Sequence, residues 1–387
     1  MFSSRLPARL GPSPLSRAIG LARGEGRVRI DLTETNPTVV GLEYPHDLVG
    51  ALADPAVLTY DPASLGTVTA RAAVAAGYTT TVVDPARVVL TASTSEAYAF
   101  LFKLLCDPGD HVAIPRPSYP LFDLLTSLEG VEPRPYRLDP AGGWAIDRDS
   151  LMQALTPRTR AILVVSPNNP TGSCLRAADR DWLVELARDR QLALIADEVF
   201  ADYPLVPRRD ASSLLGTSGA LTFTLGGLSK SAGLPQMKLA WTVISGPDDL
   251  VAAARDRLDL LADSYLSVST PVQVAAPRLL AAGRDVQRAI RPRLVANLET
   301  IRRFVKRAPA MSVYEPEGGW SAVIRVPAIL SEDQWVLRLI DDCGVLVHPG
   351  YFFDLDTGVH LVVSLLPAPD VFETGLSAIA DRVRSLS

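Results

Sequence analysis

Between Arg87 and Ser245, short apolar runs alternate with stretches of helical period, and this alternation constrains the fold more than any other feature. "RVVLTAS" reads as a strand, followed by a helix through "SEAYAFLFKLL". "HVAIP" precedes a helical "PLFDLLTSLEG". "RAILVVS" leads through a loop to the amphipathic "DRDWLVELARDRQ", and "LALIADE" follows at once; "ALTFTLGG" and "LAWTVIS" complete the set. Strands alternating with helical segments of about 10–15 residues predict βαβ units and a mainly parallel sheet. Right-handed crossovers then place the functional loops at the C-terminal ends of the strands.

After about Thr270 the pattern changes. An Arg-rich helix is expected over 277–307, then strands near "SAVIRVP", "GVLVHP" and "VHLVVSLL", and a closing helix from Asp370. This predicts an N-terminal arm and part of a small domain over 1–45, a large domain over 46–270 and a small C-terminal domain over 271–387. With 387 residues, 48% of them hydrophobic, the chain has enough apolar material for both cores.

Composition excludes several classes of function. The net charge is −5 and no basic stripe carries interleaved aromatics, so no nucleic-acid partner is expected. No apolar run approaches the roughly 20 residues of a membrane span. Cys106, Cys174 and Cys343 are odd in number and far apart, as expected of reduced thiols in a cytoplasm. His46, His111, His348 and His360 lack metal-ligand spacing, so no metal site is expected, and no G-x-S-x-G elbow is present.

Three motifs sit at predicted strand ends. "SPNNPTG" (166–172) supplies a sharp turn and an Asn side chain able to donate to a ligand; such a stretch alone is often only a turn. The strand "LALI" ends at Asp197, and a carboxylate there needs a partner, whether a structural one or a ligand. "GGLSKSAGLPQMK" (226–238) holds two of the chain's four lysines, Lys103, Lys230, Lys238 and Lys306, against 34 arginines (38 − 4). Where charge alone is wanted this sequence writes Arg, so a lysine here points to a primary amine, which guanidinium cannot replace in Schiff-base chemistry. A solvated surface lysine is the alternative. A further stretch, "ASTSEAY", has Ser93 and Glu96 in capping-box spacing and so predicts a helix start able to bind an anion.

In order and spacing (Asn169, Asp197, Lys230) the chain resembles a fold-type-I pyridoxal-5′-phosphate (PLP) enzyme of the class I/II aminotransferase family, over nearly its whole length. The resemblance implies an α/β fold with a mainly parallel sheet of the seven-stranded type, helices on both faces, and a smaller α+β C-terminal domain. It implies that Lys230 forms the Schiff base and then moves the proton, and that Asp197 pairs with the pyridinium nitrogen. It places Asn169 on the ring's phenolate oxygen and Tyr119 stacked on the ring. Ser93, Thr94, Ser95 and Ser229 match phosphate ligands, and Tyr60 matches a tyrosine reaching across from a partner subunit, which implies a homodimer with shared sites.

Four positions depart from the family pattern. Lys238 replaces a phosphate-binding arginine, Gly227 a serine, and Phe200 a tyrosine that bonds the phenolate oxygen. The arginine that grips the substrate carboxylate falls on Val362 in "HLVVSLLP", so Arg325 and Arg17 are the candidates to replace it. The expected function is an aminotransferase-like reaction on an atypical amine. A PLP-dependent cyclase, lyase, decarboxylase or carbon–carbon-forming synthase is the second reading, and a non-catalytic PLP-binding regulator the third.

Overall fold

The computed structural model describes residues 2–7, 10–207 and 210–386. Its centre is a sheet whose strands run, in spatial order, Val88–Thr91, Ala240–Ser245, Thr222–Gly227, Ala193–Asp197, Thr159–Val165, His111–Arg116, Glu132–Asp139 and Ala145–Ile146. Only Ala240–Ser245 and the two-residue edge strand Ala145–Ile146 run against the others. The sheet therefore has seven main strands and a short eighth. Ala193–Asp197 and Thr222–Gly227 are buried at every position, as continuous apolar runs require when helices cover both faces.

Glu132–Asp139 is a strand that the apolar pattern hides, because Pro133 and Pro135 interrupt it. Its neighbour on one side is His111–Arg116, and on the other only Leu138 and Asp139 are paired. The Glu132 N–H donates inward to the Asp110 carbonyl at 2.8 Å, so alternation turns the two prolines toward the open edge. There their missing N–H groups cost no ladder bond.

The helix Thr94–Leu105 begins at Ser93, whose Oγ accepts from the Glu96 N–H at 3.1 Å. Glu96 does not close the expected reciprocal box: its carboxylate takes the Ala92 N–H at 2.7 Å and the Ser267 hydroxyl at 2.7 Å. Ala97, Tyr98, Phe100, Leu101 and Phe102 form its buried face against the sheet.

The long helix spans Thr270–Arg307, seven residues earlier than its expected start at Pro277 (277 − 270), and contains both Pro277 and Pro292. Its first part packs Ala275, Ala276 and Leu279 into the core around Leu228, Leu239 and Trp241. Its later part packs Val286, Ile290, Leu294, Leu298 and Ile301 into the second core with Trp320, Trp335 and Phe372. That second core lies under an antiparallel sheet ordered Ser312–Tyr314, Ser321–Arg325, His360–Ser364, His348–Pro349. The N-terminal strand Ile30–Asp31 pairs in parallel with Val345–Leu346, tying the arm to this half of the molecule.

Candidate active site

The parallel strands end together, and the three motifs meet there. Thr222–Gly227 runs into a single helical turn, Leu228–Ser231, that carries Lys230. Its glycines answer to packing: a Cβ at Gly226 would stand 2.5 Å from Trp241 Nε1, and one at Gly227 would press on the Ala240 methyl at 3.2 Å. The Tyr203 hydroxyl donates to the Lys230 carbonyl at 2.6 Å, fixing the turn from below.

The Lys230 ammonium lies 5.5 Å from the Phe200 ring centroid and 5.1 Å from that of Trp320. Burial holds its pKa below the ordinary lysine value, and the Asp197 carboxylate opposes that shift. Asp197, 9% exposed, accepts from the Tyr98 hydroxyl at 2.7 Å and from the Val199 N–H at 3.2 Å. Burial raises its pKa above the usual carboxylate value, against the pull of both hydrogen bonds and Lys230. A buried amine held toward neutrality, beside a carboxylate with acceptor capacity left over, is suited to adding to a carbonyl next to a cationic group.

Asn169 stands where its turn meets the small-domain sheet, its Oδ1 accepting from the Ser321 hydroxyl at 3.4 Å. The neighbouring Asn168 is committed to the turn itself, binding the Thr171 hydroxyl at 2.9 Å and the Pro117 carbonyl at 3.3 Å. Tyr119 is 39% exposed and packs edge-on against Phe122. Burial and then the Asp197 charge raise its pKa, so its ring stands within reach of that carboxylate's field. Thr94 and Ser95 occupy the first turn of the Ser93-capped helix, whose free N–H groups are of the kind that bind anions. Ser229 is half-buried in the Lys230 turn, whereas Lys238 is exposed with left-handed backbone at φ 53°. Tyr60 is 70% exposed.

Two expected residues do not join this group. Arg325 is exposed at the far end of Ser321–Arg325, four residues or about 13 Å from the end that touches Asn169. It is paired with His360 and lines an outer groove with Met311 and Ile329. Arg17 is exposed and spends its guanidinium on the Pro12 carbonyl at 2.7 Å. Val362 is buried between Val323 and His348 on the same face of the small sheet. Among the described residues no His, Cys, Asp and Glu cluster is arranged to hold a metal ion, and no helix is long and apolar enough to cross a membrane.

Three contributors escaped the sequence reading. Tyr98 was visible only as one apolar position of a helix, although a buried tyrosine hydroxyl always calls for a partner. Trp320 follows two glycines in "EGGW" and carried no periodic signal. Tyr203 closes the "ADEVFADY" stretch already marked by Asp197.

The donor set fits PLP: a primary amine, a buried carboxylate, an aromatic face, and hydroxyls on a helix N-terminus suited to a phosphate. The sequence pattern of the family "Aminotransferase class I and II" matches residues 37–368. The chain belongs to that family. It is an aminotransferase-like transferase, and the family implies PLP as its cofactor. It is 30% identical over 368 residues to an alanine aminotransferase of Mycobacterium tuberculosis, covering 92% of this chain and 85% of that one. It is 33% identical over 334 residues to the capreomycidine synthase of Streptomyces vinaceus, covering 84% and 80%. The crystal structure of an aminotransferase from Escherichia coli superposes with a TM-score of 0.86 at 26% identity, covering 99% and 98%.

Proposed function

We propose that the chain transfers an amino group between an amine or amino-acid donor and a keto acceptor, with Lys230 as the reacting amine and proton carrier. The observation that carries this reading is the placement of Lys230 and Asp197 at adjoining parallel strand ends, Asp197 buried and Lys230 half-buried against Phe200 and Trp320, with burial biasing the amine toward its neutral form. When bound, PLP supplies an electrophilic carbon and an electron sink. Asp197, oriented by the Tyr98 hydroxyl, would keep the cofactor's ring nitrogen protonated. Asn169 would donate to the phenolate oxygen, and Tyr119 would supply an aromatic face for the ring. Phe200 has no hydroxyl to donate to that oxygen, which would stay more basic. Ser93, Thr94, Ser95 and Ser229 would hold the phosphate, with Lys238 adding a point charge in place of a guanidinium fork.

The substrate is an amine whose acid group, if present, is not gripped at Val362. An apolar side chain there removes a charge-assisted pair of about 1.5–3 kcal/mol, so binding energy comes from groups remote from the reacting carbon. The exposed Leu58, Tyr60 and Val68 support a homodimer in which Tyr60 of one subunit completes the other's phosphate site. The three half-buried, widely spaced cysteines accord with a cytoplasmic setting.

The likeness to a protein named as a synthase favours a second reading in which the same amine serves cyclisation, elimination, decarboxylation or carbon–carbon bond formation. A panel of amines with and without α-carboxylates decides between them. Transamination converts the bound cofactor to its amine form with one keto product per site. The second reading gives product while the cofactor absorbance returns unchanged. Efficient turnover of alanine, aspartate or glutamate, unaffected by Arg325→Ala and Arg17→Ala, contradicts the assignment of non-standard carboxylate recognition.

A further inference from the structure

Arg176 occupies the N-cap position of the helix Ala177–Arg190 but makes no capping hydrogen bond with its side chain. Ser, Thr, Asp or Asn at such a position normally accepts from the helix's free N–H groups. Arg176 instead reaches across to the small domain. Its Nη1 donates to Glu317 Oε2 at 2.7 Å and its Nη2 to Glu317 Oε1 at 2.9 Å, the two side chains being only 12% and 9% exposed. Glu317 Oε2 also accepts the Cys174 N–H at 2.8 Å.

The backbone around this pair is tied in the same direction. The Glu317 and Gly318 N–H groups donate to the Gly172 carbonyl at 3.0 and 2.9 Å, and the Leu205 N–H donates to the Glu317 carbonyl at 2.8 Å. Gly172 has φ 70°, and a Cβ there would stand 2.5 Å from Pro316 Cβ and 2.6 Å from the Gly318 oxygen. The turn carrying Asn169 and the loop 315–320 are thus held as one unit. That loop ends in Trp320, which is 1% exposed, packs edge-on against Phe200 and Tyr203, and lies 5.1 Å from the Lys230 ammonium.

A buried ion pair is a poor source of stability compared with an apolar pair of similar volume, because desolvation offsets most of the attraction. Its fork geometry does fix orientation. We infer that Arg176 and Glu317 form a positioning clasp between the domains, holding Trp320 over Lys230 and Asn169 beside it in a single register. The inference rests on the reading of Lys230 as the reacting amine.

The test uses the full chain with 5-fluorotryptophan, its Trp320 resonance assigned by Trp320→Phe. Arg176→Lys keeps the charge but not the fork, and Glu317→Gln keeps the shape but not the charge. The double variant Arg176→Met/Glu317→Leu replaces the pair by apolar packing. In cofactor-free protein the Trp320 resonance is expected to shift or split in all three, while those of Trp241 and Trp335 stay in place. In loaded enzyme kcat falls at least about tenfold with a smaller change in KM. The double variant unfolds at a denaturant concentration close to wild type yet is as slow as the single ones. An unmoved Trp320 resonance in Arg176→Lys, or wild-type kcat in the double variant, overturns the clasp. If the double variant does not fold, the Arg176→Lys resonance alone decides. Wild-type protein that cannot be labelled at Lys230 by borohydride in the presence of PLP refutes the underlying reading instead, and leaves the fluorine result intact.

Discussion

Asp197 and Lys230 are each pushed by burial toward their neutral forms, and each partly restores the other's charge. The lysine has a consequence for cofactor-free protein. Its folded-state pKa lies below 10.5, so between those two values the unfolded chain binds more protons than the folded one. Stability therefore rises with pH across that window. Lys230→Met is expected to stabilise cofactor-free protein at neutral pH, with the gain shrinking as pH approaches 10.5; urea unfolding at several pH values reads it. A gain that grows with pH contradicts the sign. Tyr98 is the second residue-scale test. Tyr98→Phe removes the 2.7 Å donor from a buried carboxylate. We expect proton removal from the substrate to slow about ten- to a hundredfold, equivalent to roughly 1.4–2.7 kcal/mol, with PLP still bound. A rate within about twofold of wild type places Tyr98 outside the chemistry.

At the scale of elements, the sequence exposes what periodicity and capping control. The strand ends at Asp197, Val165 and Gly227, the Ser93 cap, and hence the meeting of Lys230, Asp197 and Asn169 all follow from local apolar runs and their punctuation. The Glu132–Asp139 strand was hidden because edge prolines break the pattern without breaking the ladder. Arg325 lies at the exposed end of its strand, away from Ser321 and Asn169, and the apolar pattern alone does not say which end of a strand faces the site. The Arg176–Glu317 contact joins residues 141 apart, and no local pattern encodes it. The Ser93 cap gives a test at this scale. Ser93→Ala removes the acceptor for the Glu96 N–H, at a cost of about 1 kcal/mol in unfolding free energy. It is also expected to weaken PLP binding, measured by equilibrium dialysis. Unchanged affinity contradicts the placement of the phosphate at this helix start.

At the scale of the whole molecule, two cores share one long helix, and Lys230 lies where the strand ends meet Trp320 of the second core, while Tyr60 sits on an exposed face. If two copies share their sites across that face, mixing Tyr60→Phe with Lys230→Ala protein yields heterodimers with one intact site and activity above either parent. A monomer in light scattering that turns over at the full rate contradicts sharing. The central claim, that this fold exists to present the Lys230 amine to PLP, is tested most directly by trapping. Protein incubated with PLP, reduced with borohydride and digested is expected to carry the phosphopyridoxyl label on the Lys230 peptide, and Lys230→Ala protein is expected to carry none. Label on Lys238, Lys103 or Lys306 in place of Lys230, or full labelling of Lys230→Ala protein, would contradict the account.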